Sequence, residues 1–485
     1  MARRATVVGS GPNGLAAAVA LARAGYEVRV VEASGTIGGG VRTADGPLPG
    51  FRYDVCSAVH PAALSSPFFR AFGLRNRLQW HVPEAAFAHP LDGGRAAIAW
   101  RDLELTVAEL GTDGDGWRRL VGALSKRLEG VVDFTGNQLI RMPRHPLATA
   151  HFGVRTLLTG AALGETALRT EAGRALLAGV FAHSGTRLPS LGAAASGLFL
   201  AAHAHAGDGW SFPHGGAQAI ADAMADDIQA HGGTIETGVH VRSLDGFDFG
   251  DPDAGDLLML DTSPRLVRTH PEIPGRYARA VNRYRYGSGA AKVDFALDGP
   301  IPWENPDVTA APTVHLGGTA EEVRASENAV ADGRVSDHPY VLAVQPSVLD
   351  TSRAPAGHGV LWAYIHVPAG STIDPTDLVT RQVERFAPGF RSRVLGSQAM
   401  SAHERAAYNP SDIGGDILGG AFSVTQAIRR PVVSRSPWRT PITGVYLASA
   451  STPPGPGVTG MPGWFAAQTA LRDAGQRVSL AELFG

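Results

Sequence analysis

The chain has 485 residues, 44% hydrophobic and 18% charged, which describes a globular protein of roughly two to four domains and excludes a disordered chain. Lysine and arginine number 43 against 45 acidic residues, and this near balance argues against a general nucleic-acid binder. The single cysteine, Cys56, excludes a disulfide framework and a paired-cysteine redox centre, so any redox chemistry must come from a bound cofactor.

The first 32 residues predict a strand, a helix and a second strand of the kind that binds a dinucleotide. A buried strand at 5–8 runs into GSGPNG, and an alanine-rich helix leads to a strand that ends in Glu32. In this loop Gly9 permits the tight turn, Gly11 lets the backbone approach a pyrophosphate, and Gly14 lets the helix pack closely. The helix start attracts phosphate, and Glu32 is placed to accept hydrogen bonds from ribose hydroxyls.

A second glycine-rich loop follows directly. ASGTIGGGVRTADG places Gly38, Gly39 and Gly40 after the ribose-binding acid and continues through Arg42 to Thr43. This run resembles the second glycine signature of the flavin amine oxidase and phytoene desaturase superfamily. The resemblance implies that the cofactor is FAD rather than NAD and that Arg42 contacts a phosphate or the flavin. An ordinary surface charge is the alternative for Arg42.

The segment at 50–61, GFRYDVCSAVHP, resembles the stretch that follows this signature in the same superfamily. It holds a weak candidate for a catalytic side chain, His60, which would border the flavin pocket. A histidine in such a place is more often part of the hydrogen-bonded structure than a catalyst. Beyond it, several helix-like stretches predict a mostly helical cap up to about residue 210.

The segment at 211–244 predicts a turn, an amphipathic helix and two short strands. It resembles the returning piece of the nucleotide domain in the same superfamily, in which the backbone of a valine pairs with adenine. Val241 occupies the matching place. The following run, LDGFDFGDPDAGDLLMLDTSP, is short and irregular, so we expect the hairpin usual in the family to be truncated or altered.

The C-terminal segment at 444–471 predicts a strand, a Gly/Pro-rich loop and a helix. A helix start aimed at a flavin stabilises the negative charge that reduction leaves on the ring. In the resembling family this loop touches the ribityl chain and the ring, which nominates Val458, Gly460 and Met461. Ser451 stands where many relatives carry glycine, and its hydroxyl either binds the ribityl region or only alters the turn.

These segments predict an α/β fold with a Rossmann-like FAD-binding domain assembled from discontinuous pieces. We expect that domain at 1–95, 211–286 and 436–485, a mostly helical cap at 96–210, and a substrate domain with a mixed sheet at 287–435. RYGSGAAKVDFALDGPIPW and GGDILGGAF resemble runs of the phytoene desaturase-like subgroup, which also contains carotenoid ketolases and retinol saturase. The expected cofactor-binding residues are Gly9, Gly11, Pro12, Asn13, Gly14, Glu32, Ala33, Gly39, Gly40, Arg42, Val241, Ser451, Gly457, Val458, Gly460 and Met461.

The resemblance implies an FAD-dependent oxidoreductase that dehydrogenates an apolar terpenoid or carotenoid-like molecule by hydride transfer to flavin N5. One alternative is a flavin amine oxidase that uses oxygen, for which an aromatic cage would be drawn from Trp210, Trp362, Tyr364 and Tyr408. Another is a flavoprotein that serves as an interaction module without turnover. Core packing is the more ordinary role for these aromatic residues.

Further expectations concern partners and location. No run of about 18 apolar residues is present, so we expect a cytoplasmic protein that at most touches a membrane surface. The closely spaced histidines at 203 and 205 lack an accompanying cysteine or carboxylate at ligand spacing, so no metal site is expected. The expected partner is an apolar small molecule, with no nucleic acid, and the sequence leaves the oligomeric state open.

Overall fold

The computed structural model describes residues 3–162 and 167–485. Its strands are β1 (Arg4–Val8), β2 (Glu27–Glu32), β3 (Thr43–Asp45), β4 (Arg52–Asp54), β5 (Trp80–His81), β6 (Ala85–Leu91), β7 (Arg95–Trp100), β8 (Phe212–Pro213), β9 (Thr234–Thr237), β10 (Leu257–Leu260), β11 (Gly289–Leu297), β12 (Thr313–Leu316), β13 (Val341–Val344), β14 (Gly359–Val367), β15 (Val394–Met400) and β16 (Val445–Leu447).

The α-helices are α1 (Pro12–Arg23), α2 (Pro67–Phe72), α3 (Leu74–Arg77), α4 (Leu103–Glu109), α5 (Gly114–Trp117), α6 (Ala123–Ser125), α7 (Leu128–Thr135), α8 (Pro146–Ala162), α9 (Glu171–Ala182), α10 (Leu191–Ala204), α11 (Gln218–Ala230), α12 (Gly275–Asn282), α13 (Ala320–Ala331), α14 (Thr376–Phe386), α15 (Ala402–Tyr408), α16 (Val424–Arg429), α17 (Met461–Asp473) and α18 (Leu480–Phe484).

Five parallel strands form the first sheet, in the order β16-β10-β1-β2-β9. Strand β10 is apolar and buried, and β1 is buried after its exposed first residue, Arg4, as expected for parallel strands covered on both faces. Side chains of α1, α11 and α17 share one hydrophobic core with β1 and β2. Since these elements come from three distant parts of the chain, the expected α/β nucleotide domain assembled from discontinuous segments is confirmed.

The irregular run LDGFDFGDPDAGDLLMLDTSP contains a central strand of this sheet. Its LLML becomes β10, which pairs with β1 on one side and β16 on the other. Of the two short strands expected after α11, only β9 forms, and residues 239–244 run as coil beside the end of β2. Between 238 and 256 the structure has no strand, so no hairpin stands at that place in the described chain.

Seven strands form the second sheet, in the order β15-β11-β14-β13-β12-β6-β7. Neighbours in it are antiparallel except β12 and β6, which run parallel. The expected boundary at residue 95 requires correction, because β6 and β7 both belong to this sheet. The chain leaves the nucleotide domain near β5, which pairs with β8 in a two-stranded ribbon between the two bodies.

Helices α4–α10 cover one face of the second sheet, and their apolar side chains share a core with β6, β13 and β14. This layer corresponds to the expected helical cap. Within residues 3–162 and 167–485, no helix is both long enough and apolar enough to traverse a bilayer.

Candidate cofactor and substrate site

A cavity of about 790 Å³ lies between the two sheets. One end of it is lined by the two glycine-rich N-terminal loops, the coil after β9 and the C-terminal Gly/Pro loop. The other end is lined by side chains of the helical cap and of β13 and β14. The cavity therefore joins the two bodies, with backbone at one end and mainly apolar side chains at the other.

The first glycine loop forms a cradle at the start of α1. Gly11 has a φ of −66°, which any residue can adopt, and offers no side-chain cap to the helix. Glycine is needed there for space, because a Cβ on Gly11 would stand 2.5 Å from Asp261 Oδ2. A Cβ on Gly14 would stand 2.3 Å from the Gly9 carbonyl oxygen. N–H groups at a helix start suit a pyrophosphate.

Asp261 is a residue of this site that sequence reasoning missed. It follows β10 directly, and its Oδ2 accepts the Gly14 N–H at 2.8 Å. Burial and, to a smaller extent, the negative charge of Glu32 raise the pKa of this carboxyl, whereas the N–H groups of Gly14 and Gly11 lower it; together these influences bring it to about 7. The sequence feature that could have identified Asp261 is its position directly after the apolar run LLML, at the carboxyl edge of a parallel sheet.

Glu32 lies at the carboxyl end of β2, where the dinucleotide pattern predicts it. Its carboxylate accepts hydrogen bonds from Ser10 N at 2.9 Å, Ser10 Oγ at 2.6 Å, Ser34 N at 2.8 Å and Arg42 Nη2 at 2.9 Å. A carboxylate offers about four acceptor sites. All four are occupied, so a ribose hydroxyl must replace one of these donors when it binds here.

Arg42 lines the cavity and pairs with Glu32, and both side chains are at least nine-tenths buried. Its Nε donates to the Thr36 carbonyl at 3.0 Å, and its guanidinium lies 5.5 Å from the Tyr408 ring centroid. The alternative of an ordinary surface charge is therefore wrong. The predicted contact of Arg42 with a phosphate or the flavin stays a prediction.

The second glycine loop packs directly on the first. A Cβ on Gly39 would stand 2.9 Å from the Gly11 Cα, so only glycine allows this approach. Thr43 has a separate task, because its Oγ1 donates to Asp54 Oδ1 at 2.7 Å. The same carboxylate is held by Arg353 at 2.7 Å and by the Ala217 N–H at 2.8 Å, which ties the loop to α11 and to the second sheet.

The C-terminal loop closes the same end of the cavity. Val458 has a φ of 51° and is the one non-glycine residue with positive φ in the described chain. A β-branched residue in that region is held there against a cost of about 1–3 kcal/mol, a pattern common at ligand sites. A Cβ on Gly463 would stand 1.8 Å from the Asn13 carbonyl oxygen, so α17 packs tightly on α1. The two chain ends therefore meet at one cavity.

Most of the residues expected to bind the cofactor line this cavity, namely Gly9, Gly11, Pro12, Asn13, Glu32, Ala33, Gly39, Gly40, Arg42, Val241, Ser451, Gly457 and Val458. Gly14, Gly460 and Met461 lie behind the lining, and Met461 is buried in the core with α1. Ser451 donates its hydroxyl hydrogen to the Gly419 carbonyl at 2.8 Å, so it ties the C-terminal loop to the segment before α16.

His60, the weak catalytic candidate, is buried and does not line the cavity. Its Nδ1 lies 3.3 Å from Ser57 Oγ, and its backbone N–H donates to the Ser211 carbonyl at 2.9 Å. Burial lowers the pKa of the imidazole to about 4, which keeps it neutral at physiological pH. These contacts are those of a structural histidine.

The far end of the cavity is lined by large side chains of the cap and the second sheet. Trp210, Trp362 and Tyr364 are buried and line it together with cap residues such as Phe199. The rings of Trp362 and Tyr364 meet edge to face at 5.3 Å. Tyr408 also lines the cavity, but it lies beside Arg42 at the nucleotide end.

The acidic side chains of the lining all have protein partners. Glu32 pairs with Arg42, Asp261 accepts the Gly14 N–H, and Asp412 Oδ2 lies 3.8 Å from Arg405 Nη1. Burial, first among several influences, raises the pKa of Asp412 to about 7. No carboxylate among the described lining residues is thus left without a partner to bind a cationic substrate.

Residues 13–475 match the family model described as flavin containing amine oxidoreductase. The mouse (Mus musculus) pyridine nucleotide-disulfide oxidoreductase domain-containing protein 2 is 25% identical over 97% of this chain and 93% of its own length. The rat (Rattus norvegicus) protein of the same name is 29% identical, but that match spans about half of each chain, 54% of this one and 51% of the relative.

Two further comparisons are more limited. A 4,4'-diapolycopen-4-al dehydrogenase from Metabacillus indicus is 31% identical over 26% of either chain. A solved triple mutant of putrescine oxidase is similar in fold, with a TM-score of 0.62, 16% identity, and coverage of 98% of this chain and 99% of that one. At this identity the likeness concerns the fold alone.

Proposed function

The chain belongs to the family of flavin-containing amine oxidoreductases, it is an FAD-dependent oxidoreductase, and we propose that it dehydrogenates an apolar, polyene-like substrate. In this reaction the substrate loses a hydride and a proton and gains a double bond. FAD, when bound, accepts the two electrons. The glycine cradle at α1, Glu32, Arg42 and the C-terminal loop would hold it, since all of them line the same end of the cavity.

The observation that carries the proposal is the character of the far end of the cavity. Its wall is built from Phe199, Trp210, Leu342 and their neighbours, and the acidic groups of the lining are committed to protein partners. Such a wall excludes water and orients an apolar chain, but it offers no counter-charge for an ammonium group. The name of the Metabacillus relative, a dehydrogenase of a carotenoid aldehyde, supports the same substrate class.

Exposed apolar side chains on the outer side of the cap support the delivery of such a substrate from a lipid phase. The segment at 134–158 lines the cavity with Phe134, Leu139 and Phe152. The same segment leaves Met142 90% and Leu147 77% exposed. Exposed apolar side chains of this size favour contact with a membrane surface. Sedimentation with phospholipid vesicles tests this contact, and a protein that stays in the supernatant would argue against it.

Amine oxidation is the second candidate, because Trp362 and Tyr364 place two aromatic faces in the cavity lining. Aromatic faces attract cations, so an amine that lies against these rings would not need a carboxylate. The name of the putrescine oxidase neighbour is compatible with this alternative, although that likeness rests on fold.

Anaerobic loss of the visible flavin absorbance distinguishes the candidates. The FAD-loaded chain is mixed with polyenes, retinoids and amines in detergent, and bleaching is followed in each mixture. The proposal predicts bleaching by a polyene or retinoid and none by amines. Bleaching by amines alone would replace it with the second candidate, and FAD that no substrate reduces would favour a flavoprotein without turnover.

A further inference from the structure

A second cluster of polar groups lies at the ribbon between the two bodies, outside the cofactor cavity. His81 belongs to β5, His214 follows β8, and Asp350 comes from the loop after β13. His214 Nδ1 lies 3.1 Å from Asp350 Oδ1 and 3.3 Å from His81 Nε2, and His81 Nε2 lies 3.8 Å from Asp350 Oδ1. None of the three residues lines the cofactor cavity.

Hydrogen bonding alone leaves this cluster unsatisfied. Each imidazole nitrogen offers either one hydrogen or one lone pair. If His214 Nδ1 donates to Asp350, it cannot accept from His81, and two N–H groups pointed at each other would clash. Asp350 Oδ1 also already accepts the Ser352 hydroxyl at 2.6 Å. A single proton can therefore form a hydrogen bond within one of the three pairs of atoms. A cation at the centre of the cluster would contact all three ligand atoms.

We propose that His81, His214 and Asp350 bind a divalent transition-metal ion, with Zn²⁺ as the best match to the ligand set. Zn²⁺ bound by imidazole nitrogen and carboxylate oxygen at about 2.0–2.1 Å in a tetrahedron holds its ligand atoms about 3.3 Å apart. The three observed separations of 3.1, 3.3 and 3.8 Å surround that value. Two imidazoles and one carboxylate are ligands that suit zinc rather than calcium or magnesium.

The surroundings of Asp350 hold its carboxylate in place to bind a metal ion. The Asp350 side chain is fully buried, and its Oδ2 accepts the Gly215 N–H at 2.8 Å. The nearby cation of Arg353 is paired with Asp54 at 2.7 Å. His214 is 44% exposed, which leaves an entry path and an open fourth position for water.

The position of the site gives the ion a structural role, which is to link two parts of the fold. His214 stands immediately before the turn into α11, whose start is bound to Asp54, and Asp350 lies in the connection between β13 and β14 of the second sheet. A bound ion would link the ribbon β5–β8 to that sheet and fix the crossing between the nucleotide domain and the substrate domain. Metal binding that requires the folded arrangement stabilises the folded state.

The test uses the full chain without a polyhistidine tag, loaded with FAD and dialysed against a chelator. Zn²⁺ is added in competition with a chromophoric chelator, and the dissociation constant and stoichiometry are measured. We expect one Zn²⁺ per chain and a higher unfolding temperature in its presence. Since loss of a group that merely supports a ligand costs about 10–100-fold in affinity, loss of a direct ligand should cost at least tenfold.

His214→Ala is the main variant, and His81→Gln is the second if the first does not fold. His358→Ala is the matched control, because His358 is partly exposed and lies 3.9 Å from an acid, Asp298, without a third ligand. Bound FAD in every sample reports that the chain is folded, so failure of zinc binding is separable from failure of the flavin proposal. Zinc binding that is absent in the wild type, or equal in wild type and His214→Ala, would overturn the assignment.

Discussion

The two ends of the cavity are built in different ways. The nucleotide end consists mainly of backbone, and its fit depends on positions where a side chain is absent, such as Gly11 and Gly39. The substrate end consists of side chains such as Trp210, Trp362 and Phe199, which distant parts of the chain bring together. Damage at the first end should therefore remove the cofactor, and damage at the second should change the substrate without removing the cofactor.

The largest loss of bound FAD is expected from Gly11→Val. Its side chain would collide with Asp261 Oδ2, which lies 2.5 Å from the position of a Cβ, and would fill the space for the pyrophosphate. Overpacking of this kind costs about 1–3 kcal/mol of stability, and FAD retention should fall to near zero. Gly35→Val is the matched control, since a Cβ on Gly35 meets nothing within 4 Å. Absorbance of the purified variants measures the flavin content. A yellow Gly11→Val protein would contradict the assignment of this loop as the pyrophosphate site.

Glu32→Gln should have the next largest effect at the nucleotide end. The change removes the charge partner of the buried Arg42, and an unpaired buried charge costs about 3–5 kcal/mol. Chemical denaturation of the protein without FAD measures this cost. The double variant Glu32→Gln with Arg42→Met should recover much of the stability while FAD binding stays weak. If Glu32→Gln and wild type were equally stable, the ion pair would not hold the loop.

Ala195→Phe addresses the substrate end. Ala195 lies on α10 and lines the cavity, so a larger side chain narrows the space without touching the nucleotide loops. FAD content should stay unchanged, and anaerobic bleaching by a polyene should slow by about tenfold, a loss of about 1.4 kcal/mol. Ala195→Ser is the control of similar size. Loss of FAD from Ala195→Phe would mean that the two ends are not separable.

The smallest effect concerns pH and the carboxyl of Asp261. Because burial raises its folded-state pKa to about 7 from 3.8, the folded chain holds a proton that the unfolded chain releases between those values. Its contribution to stability therefore falls as pH rises from about 4 to about 7. Above about 7 the ionised group also repels the pyrophosphate, so FAD affinity should weaken there.

Asp261→Asn should keep the acceptor for the Gly14 N–H and lose this pH dependence. Fluorescence titration with FAD at several pH values measures the affinity of both proteins. The wild-type affinity should fall above pH 7 and that of Asp261→Asn should stay level. Parallel profiles for the two proteins would contradict the assigned role of Asp261.

The same difference between the two ends explains how far the sequence could predict the fold and the site. Gly9, Gly11 and Glu32 lie close together in the chain, and their spacing is that of a dinucleotide-binding motif. The nucleotide end and its parallel sheet were therefore predictable. Strand β10 was not, since four apolar residues inside an irregular run give a weak periodic signal. Asp261 was missed with it.

The substrate end depends on contacts between residues far apart in the sequence. Trp362 and Tyr364 were noted as aromatic residues, but their meeting with Trp210 and the cap depends on how α10 crosses the second sheet. His81, His214 and Asp350 are each more than a hundred residues apart, so no local spacing could have predicted them as a ligand set. Only the pairing of β5 with β8 brings the two histidines together.

If the glycine-rich N-terminal loops and the C-terminal loop enclose one FAD, the purified chain should contain that flavin. The full chain is incubated with FAD, separated from free cofactor by gel filtration, and its bound flavin is released and identified. We predict one FAD per chain in the wild type and in Gly35→Val, and almost none in Gly11→Val. A folded wild-type chain that retains no flavin would show that these loops do not hold FAD.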